Sequence, residues 1–359
     1  SVWVWRKNPK EYFRRNQVFK KIQRKVFVRR NFACSVWAWG KFEKFKSKHW
    51  QKFYNKDSFN SEINLINFRN IGGASKGLDQ HNSFKKTQEL LLEIQKKIGK
   101  EFVENNLDKL NIGNSSRNFK FKNFFIDYHN LIFIYWLYLL KKNTIINFNS
   151  VCEIGGGFGA FSKLLINNYK CKVLLIDLPE ANMLSAYYLH KNFPEKKFFL
   201  FDNYIKKKYL SLRDFEENDV LILPPNCKID EKIRFDLFIN SRSFQEMKFS
   251  LIKKYFTFIE KHIQSDGYFL NVNRFEKTSV GYPIYFHQYP YSNNWKKILS
   301  QSSFKQEDHI FFLCKYQSQE RNNISIELKK VKEKYKNNFS KYKIKTKIKN
   351  FILKYFLKT

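Results

Sequence analysis

The sequence of 359 residues is poor in acidic residues, cysteine, methionine and proline. Only 32 Asp and Glu oppose 67 Lys and Arg, which leaves a formal net charge of +35 at pH 7. The cysteines number five and form no CxxC pair, so we expect neither a disulfide scaffold nor a cysteine-rich zinc site. This cysteine usage fits a reducing, cytoplasmic compartment.

Long hydrophobic runs are also missing. The longest clean run, Leu131–Leu140, has ten residues, whereas a helix that spans a bilayer needs about 18. We interpret this run as a buried helix. Hydrophobic residues nevertheless make up 43% of the chain and aromatic residues 18%. That is enough for a packed core and excludes a chain that is disordered throughout.

The basic excess lies mostly at the two ends. Residues 1–60 hold 17 basic against three acidic residues, and residues 318–359 hold 13 against three. We expect a basic, aromatic-rich extension over 1–60 and a basic amphipathic helix over 318–359, where apolar residues recur every three or four positions. Codon bias alone would explain this lysine content. The inner face of a membrane or a nucleic acid would also attract it, and core packing or subunit pairing of the last helix stays open.

The most informative segment begins at residue 150. Val151–Ile154 is a short apolar strand, and the turn Gly155–Gly159 follows it at once. A helical pattern comes next, and then the strand Lys172–Ile176 ends at Asp177. This order of strand, glycine turn, helix, strand and acid predicts one half of a nucleotide-binding α/β unit.

Each residue type in this unit suits a ligand. Glycines let a ligand approach the backbone, and a helix N-terminus presents free N–H groups. Asp177 follows Gly155 by 22 residues, close to the spacing of about 20 for an acid that binds ribose hydroxyls. Gly155, Gly157 and Ala160 also satisfy a dinucleotide pattern. The carboxylate of Glu153 favours a cationic amino group over a pyrophosphate.

The run Glu153-Ile-Gly-Gly-Gly-Phe-Gly159 resembles motif I of the class I S-adenosylmethionine-dependent methyltransferases. The resemblance covers about residues 120–317. It implies an α/β fold, namely a Rossmann-like seven-stranded sheet with helices on both faces. Residues 61–119 would then form a helical cap or a substrate-side region, and the two flanks would be helical extensions.

The resemblance also implies a set of cofactor residues. Asp202 would contact adenine at the end of a third strand, Phe198–Asp202, and Asn240 would lie at the end of the next strand. Leu178 would pack on adenine, and the acid at 177 would bind the ribose. The cofactor residues expected for S-adenosylmethionine are therefore Glu153, Gly155, Gly157, Gly159, Asp177, Leu178, Asp202 and Asn240.

A narrower resemblance concerns the acceptor. Together with motif I, Ile176-Asp-Leu-Pro179 and Asn240-Ser-Arg-Ser-Phe-Gln-Glu-Met247 are similar to bacterial sugar O-methyltransferases of polysaccharide and lipopolysaccharide biosynthesis. A sugar hydroxyl is a poor nucleophile, so a general base would help. The principal candidates are Glu246 and His287, with His129 and His81 as weaker ones. No group of side chains has convincing metal spacing, so we expect no resident metal, and a magnesium-assisted mechanism built from distant carboxylates stays open.

Three other functions compete with this interpretation. The charge suits a nucleic-acid methyltransferase, but Leu223-Pro-Pro-Asn226 precedes its strand and lacks the flanking residues of [DNS]-P-P-[YFW]. The dinucleotide pattern leaves a nicotinamide-dependent oxidoreductase open. A non-catalytic scaffold is the third alternative. The expected partner is a sugar or glycan acceptor, and the sequence leaves the acceptor's identity and the oligomeric state open.

Overall fold

A computed structural model of the chain describes residues 68–69, 83–116, 118–278, 280–317 and 322–335. The predicted extension over 1–60, the weaker candidate His81 and the chain beyond residue 335 lie outside these residues. The described helices, in chain order, are α1 (Phe84–Ile98), α2 (Lys100–Glu104), α3 (Tyr128–Asn143), α4 (Ala160–Tyr169), α5 (Pro179–Asn192), α6 (Phe201–Lys207), α7 (Leu212–Glu217) and α8 (Phe249–His262). A further helical segment covers residues 324–335.

The strands form one large sheet and two short hairpins. Their bounds are β1 (Phe119–Phe121), β2 (Phe124–Ile126), β3 (Ser150–Ile154), β4 (Lys172–Ile176), β5 (Phe198–Phe199), β6 (Val220–Leu223), β7 (Phe235–Ser241), β8 (Ile263–Arg274), β9 (Glu276–Lys277), β10 (Ile284–Tyr285), β11 (Trp295–Ser303) and β12 (Gln306–Tyr316). Strands β1 and β2 pair with each other, as do β9 and β10.

The large sheet has eight described strands in the order β11-β12-β8-β7-β3-β4-β6-β5. The six strands from β8 to β5 in this order run parallel to one another. At the other end, β12 is antiparallel to β8, and β11 is antiparallel to β12. Helices cover both faces, and the buried residues fall into two apolar clusters, one on each face. The predicted α/β class with a Rossmann-like sheet is confirmed, with one strand more than the seven expected.

The prediction of the third strand was wrong in its position. The strand that pairs with β4 is Val220–Leu223, and Phe198–Phe199 pairs only at the outer edge of it. The reason is burial, since all four residues of β6 are buried, as a strand inside a parallel sheet must be. Asp202 therefore lies in the first turn of α6, not at the end of an interior strand.

The chain reverses its direction of winding between β3 and β7. Strand β3 has β4 on one side and β7 on the other. In such sheets ligands bind in the crevice outside the carboxyl ends of the strands at this switch point. The glycine turn follows β3 directly, so the fold places it where a ligand crevice is expected.

The predicted buried helix is α3, and it begins where the sequence supplies a cap. The carboxylate of Asp127 accepts a hydrogen bond from the backbone N–H of Asn130 at 2.9 Å. Two buried ion pairs tie the region before this helix to the rest of the fold. Arg69 contacts Asp127 at 2.5 Å, and Lys163 in α4 contacts Asp108 at 2.6 Å.

The described part of the predicted C-terminal helix, residues 324–335, is helical and packs on the protein core. Its apolar stripe is buried: Ile324, Leu328, Val331 and Tyr335. The protein's own core buries this part of the stripe, so neither a membrane nor another subunit is needed to cover it. Within the described residues, no helix has the length and apolarity that crossing a membrane requires.

Candidate functional site

The glycine turn after β3 has a backbone that only glycine adopts easily. Gly155, Gly157 and Gly159 have φ angles of +77°, +61° and +86°, in the left-handed region where a Cβ is strained. The N–H of Gly155 donates to the carbonyl of Ile176 at 2.7 Å and fixes the turn to the end of β4. A Cβ on Gly157 would meet no atom within 4 Å. The turn therefore leaves open space above its middle glycine.

Asp177 closes the turn from the neighbouring strand. One carboxylate oxygen accepts a hydrogen bond from the N–H of Gly157 at 2.7 Å, and the other accepts from the N–H of Leu178 at 2.6 Å. The side chain is 6% exposed. The predicted ribose acid thus lies beside the open space over the glycine turn, as the sequence spacing required.

Glu153 lies beneath the turn. It is 1% exposed, and its carboxylate accepts a hydrogen bond from the hydroxyl of Ser162 in α4. A Cβ on Gly156 would come within 2.9 Å of the Glu153 carboxyl carbon. Burial raises the pKa of Glu153 to about 7, and the contacts with Ser162 oppose that rise. The acid therefore supports the turn from inside, and its predicted contact with a cofactor amino group stays a prediction.

The two residues predicted to contact adenine have separate positions. Leu178 is the residue before α5, is half-buried, and packs against the apolar cluster that contains Ile176. Asp202 has one carboxylate oxygen that is shielded from solvent and has no hydrogen-bond partner in the described part of the chain. At the start of this helix the side chain of Asn203, not that of Asp202, accepts the hydrogen bond from the N–H of Leu200.

Asn240 lies at the carboxyl end of β7, and both the NH₂ group and the oxygen of its side-chain amide make hydrogen bonds within the protein. Its NH₂ group donates to the carbonyl of Ile154 at 2.9 Å and to the hydroxyl of Ser243 at 2.6 Å. Its oxygen accepts from the N–H of Phe244 and from the amide of Asn273. An asparagine amide has two donors and two acceptor positions, so direct contact with a cofactor would displace one of these partners.

The amide chain continues along β8. Asn273 donates to Asn271 at 2.6 Å as well as to Asn240 at 2.8 Å, and Asn271 donates to the hydroxyl of Tyr291 at 2.8 Å. Asn240, Asn271 and Asn273 are 0% exposed. This "amide chain" of Asn240, Asn273 and Asn271 fixes the ends of β7 and β8 relative to each other.

The two predicted general bases lie in different surroundings. Glu246 is in the short 3₁₀ helix after β7, where burial raises the pKa of its carboxyl group and the cations Lys277 and Arg274 lower it. His287 stacks on Phe275 with ring centres 5.6 Å apart, and burial lowers the pKa of its imidazole. No hydrogen bond among the described residues joins Glu246 to His287, so the structure does not bring them together as an acid–base pair.

The sequence analysis missed Arg242, which follows the end of β7 directly. Its guanidinium contacts His129 of α3, with Nη1 3.2 Å from Nδ1. It also lies over the rings of Trp136 and Phe133, 5.4 and 5.8 Å from their centres. The available signal was its position, because a basic residue at the carboxyl end of a central parallel strand faces the ligand crevice.

The arrangement fits a nucleoside cofactor with an amino-acid tail. The turn offers an open position at Gly157 and a buried carboxylate at Asp177. Carboxylates accept hydrogen bonds from hydroxyl and amino groups, which such a cofactor carries. In the described residues, no group of three or more His, Cys, Asp or Glu has the arrangement of a metal site.

Comparison with protein families finds no match, and neither does comparison with curated proteins. Among solved structures, phosphoethanolamine N-methyltransferase 1 of Haemonchus contortus, with S-adenosylhomocysteine bound, is similar at 15% identity and a TM-score of 0.33, over 57% of this chain and 47% of that one. An RNA methyltransferase of Salinibacter ruber in complex with S-adenosylhomocysteine is similar at 6% identity and a TM-score of 0.30, over 49% of this chain and 85% of that one. An O-methyltransferase family 2 protein of Planctomyces limnophilus in complex with apigenin is similar at 10% identity and a TM-score of 0.30, over 46% of this chain and 50% of that one.

The chain spans about half the length of two of these structures. At such identities and TM-scores the similarity indicates nothing about substrate. The fold is a Rossmann-like α/β sheet, with parallel strands on both sides of β3, a glycine turn after β3, an acid after β4 and an antiparallel end.

Proposed function

We propose that this protein is an S-adenosylmethionine-dependent O-methyltransferase that methylates a sugar hydroxyl, as in the biosynthesis of surface polysaccharide or lipopolysaccharide. One observation carries the cofactor part of the proposal. The carboxylate of Asp177 holds the N–H of Gly157 at 2.7 Å, at the switch point of the sheet and beside open space. The sugar part is supported by the sequence resemblance over 240–247.

The cofactor supplies an electrophilic methyl group on a sulfonium sulfur. The protein's own residues have to bind the cofactor, orient the acceptor and remove the proton of the acceptor hydroxyl. Asp177 would accept hydrogen bonds from ribose hydroxyls, and Glu153 would favour a cationic amino group through the turn above it. Positioning the acceptor oxygen in line with the methyl group supplies much of the rate enhancement.

A general base would remove the proton of the acceptor hydroxyl. Glu246 lies after the end of β7, where the acceptor is expected, and its partial burial limits its solvation. Burial lowers the pKa of the His287 imidazole below its ordinary value of about 6.5, which favours the neutral form that can act as a base. Its Nδ1 is shielded and has no hydrogen-bond partner within the described chain. We propose both as candidates, and Glu246 is favoured by its position.

The test of the cofactor assignment is the substitution Asp177→Asn. Loss of the charge removes charge-assisted hydrogen bonds, each worth about 1.5–3 kcal/mol, so we expect the affinity for S-adenosylhomocysteine to fall at least about 100-fold. Calorimetry measures the affinity, and circular dichroism checks the fold. Asp266→Asn is the matched control, since Asp266 is an exposed acid paired with Lys315 at 2.8 Å. Equal affinities in the two variants would contradict the assignment.

The acceptor is tested with S-adenosylmethionine that carries a labelled methyl group. Purified protein is incubated with surface glycans extracted from cells lacking the protein, and separately with bulk RNA. The proposal predicts label in an alkali-stable ether on the glycan, with a mass gain of about 14 daltons per methyl group. Label in RNA, with binding that falls steeply with salt, would favour the nucleic-acid alternative instead.

A further inference from the structure

Arg242 is held rigidly at the ligand end of the sheet. Its own N–H donates to the carbonyl of Val272 in β8 at 2.7 Å, and its φ angle is +61°. That left-handed conformation is strained for a residue other than glycine. The backbone therefore turns sharply after β7 and places the arginine between the ends of β7 and β8.

The guanidinium of Arg242 also packs against side chains of α3. It lies over Trp136 and Phe133, and its Nη1 is 3.2 Å from Nδ1 of His129. Since a guanidinium only donates, Nδ1 of His129 accepts this hydrogen bond and its ring proton lies on Nε2. One edge of the guanidinium is thus fixed by α3, and its plane is fixed by two aromatic rings.

The remaining N–H groups of Arg242 are unused. Nε and Nη2 are both shielded from solvent, and neither has a hydrogen-bond partner in the part of the chain that the structure describes. These two atoms form the planar fork with which arginine binds a carboxylate or a phosphate in bidentate fashion. A shielded cation with unpaired donors is costly unless an anion binds it.

The nearest acids of the described residues are already engaged. Asp308 and Asp127 are close enough to act on the charge of Arg242. Asp308, however, is 3.2 Å from Arg274 and 2.7 Å from His309, and Asp127 is 2.5 Å from Arg69. Arg274 adds a second cation at the end of β8. Among the described residues, no carboxylate forms an ion pair with Arg242, because these neighbouring acids pair with other cations.

We propose that Arg242 binds an oxyanion carried by the methyl acceptor, so that the substrate is an acidic sugar rather than a neutral one. The inference rests on the proposed function, since it assigns the acceptor side of the same site. The anion is the carboxylate of a uronic acid or the phosphate of a sugar phosphate. The N-terminal turn of α3, which carries His129, adds the positive end of a helix dipole beside it.

The experiment uses the full chain with S-adenosylhomocysteine added, at constant ionic strength. Thermal unfolding is recorded with glucuronate, glucose 6-phosphate and neutral glucose at equal concentrations. We expect one of the two anions, and not glucose, to raise the unfolding temperature. Arg242→Gln should weaken that anion's apparent affinity about tenfold or more. Arg242→Lys should restore it only in part, because lysine keeps the charge and loses the fork.

Arg213→Gln is the matched control, because Arg213 is an exposed arginine paired with Glu217 at 2.7 Å, and it should leave the anion effect unchanged. Glucuronate alone would assign a carboxylate, and glucose 6-phosphate alone a phosphate. No anion effect in the unsubstituted protein, or an equal effect in Arg242→Gln, overturns the inference. Calorimetry with S-adenosylhomocysteine on the same samples separates the two proposals, since failure to bind it defeats the proposed function itself.

Discussion

Two halves of the candidate site are built in different ways. The first half, Glu153–Asp177, is one continuous stretch of the chain and consists of β3, the glycine turn, α4 and β4. The hydrogen bonds that close its turn join the carboxylate of Asp177 to backbone N–H groups. The second half joins the ends of β7 and β8 to α3, and its contacts are between side chains: the amide chain and Arg242.

This difference explains why the halves respond differently to substitution. Backbone geometry defines the first half, so a single methyl group at a glycine can disturb it. Side-chain hydrogen bonds define the second half, so the loss of one amide leaves several buried groups unpaired. Strands β3 and β7 pair across the two halves, and Asn240 and Ser243 both donate to the carbonyl of Ile154. The halves also meet where Ser243 of the second half fills the space beside Gly155 of the first.

The largest expected effect comes from breaking that contact with Gly155→Ala. The new Cβ would lie 2.0 Å from the hydroxyl oxygen of Ser243 and 2.3 Å from its Cβ, at a φ angle of +77°. Overpacking costs about 1–3 kcal/mol and a left-handed conformation about 1–2 kcal/mol. We expect the free energy of unfolding to fall by about 4 kcal/mol in urea titrations.

Two further variants identify the cause of that loss. Gly155→Ala with Ser243→Gly removes the clash, keeps the strain and loses the hydrogen bonds of the Ser243 hydroxyl with Asn240 and Ile154, so only part of the lost stability should return. Gly157→Ala meets open space and should lose only the strain of about 1–2 kcal/mol, while it projects a methyl group into the position assigned to the cofactor. If Gly155→Ala and Gly157→Ala destabilise equally, the contact between the halves is not what fixes the turn.

The next effect concerns the buried acid of the first half. Burial raises the pKa of Glu153 from 4.5 to about 7, so the folded protein holds a proton that the unfolded chain releases. Stability therefore falls as pH rises from about 4.5 to about 7, and the loss stays constant above that window. Glu153→Gln keeps an acceptor for Ser162 and should be more stable than the parent by about 3 kcal/mol at pH 8.

The measurement is urea unfolding of both proteins between pH 4 and pH 8. The two stabilities should converge towards the acidic end, where the parent carboxyl group is protonated in both states. A pH-independent difference would show that burial of charge is not the cause. Calorimetry with S-adenosylhomocysteine gives the functional arm, since the variant should bind more weakly if the charge at 153 favours the cofactor's amino group.

The contrast between the halves also sets what could be predicted from the sequence. The bounds of β4 agree with the predicted strand Lys172–Ile176, and the glycine turn and Asp177 lie together as predicted. The information was local there: an apolar strand, glycines and an acid at a fixed spacing. The α/β class followed from this one unit together with the family resemblance that it carries.

What the sequence did not predict depends on contacts between distant segments. Nothing local distinguished Val220–Leu223 from Phe198–Phe199 as the neighbour of β4, because both runs are apolar and only the sheet shows which one is interior. Arg242 was visible in the chain, but its partner His129 is 113 residues away. The roles of Glu246 and His287 remain predictions for the same reason.

The smallest expected effect comes from Asn240→Ala. This variant tests whether Asn240 stabilises the second half through its amide hydrogen bonds or contacts the cofactor directly. Asn240→Ala leaves the N–H of Phe244 without its acceptor and removes one of the two acceptors of the Asn273 amide, at a cost of about 2 kcal/mol in the free energy of unfolding. We expect affinity for S-adenosylhomocysteine to fall less than about tenfold. Asn192→Ala, which removes a single half-buried bond to Tyr188, is the control and should cost about 1 kcal/mol or less. A loss of affinity without a loss of stability would instead assign Asn240 to the cofactor, as the sequence pattern predicts.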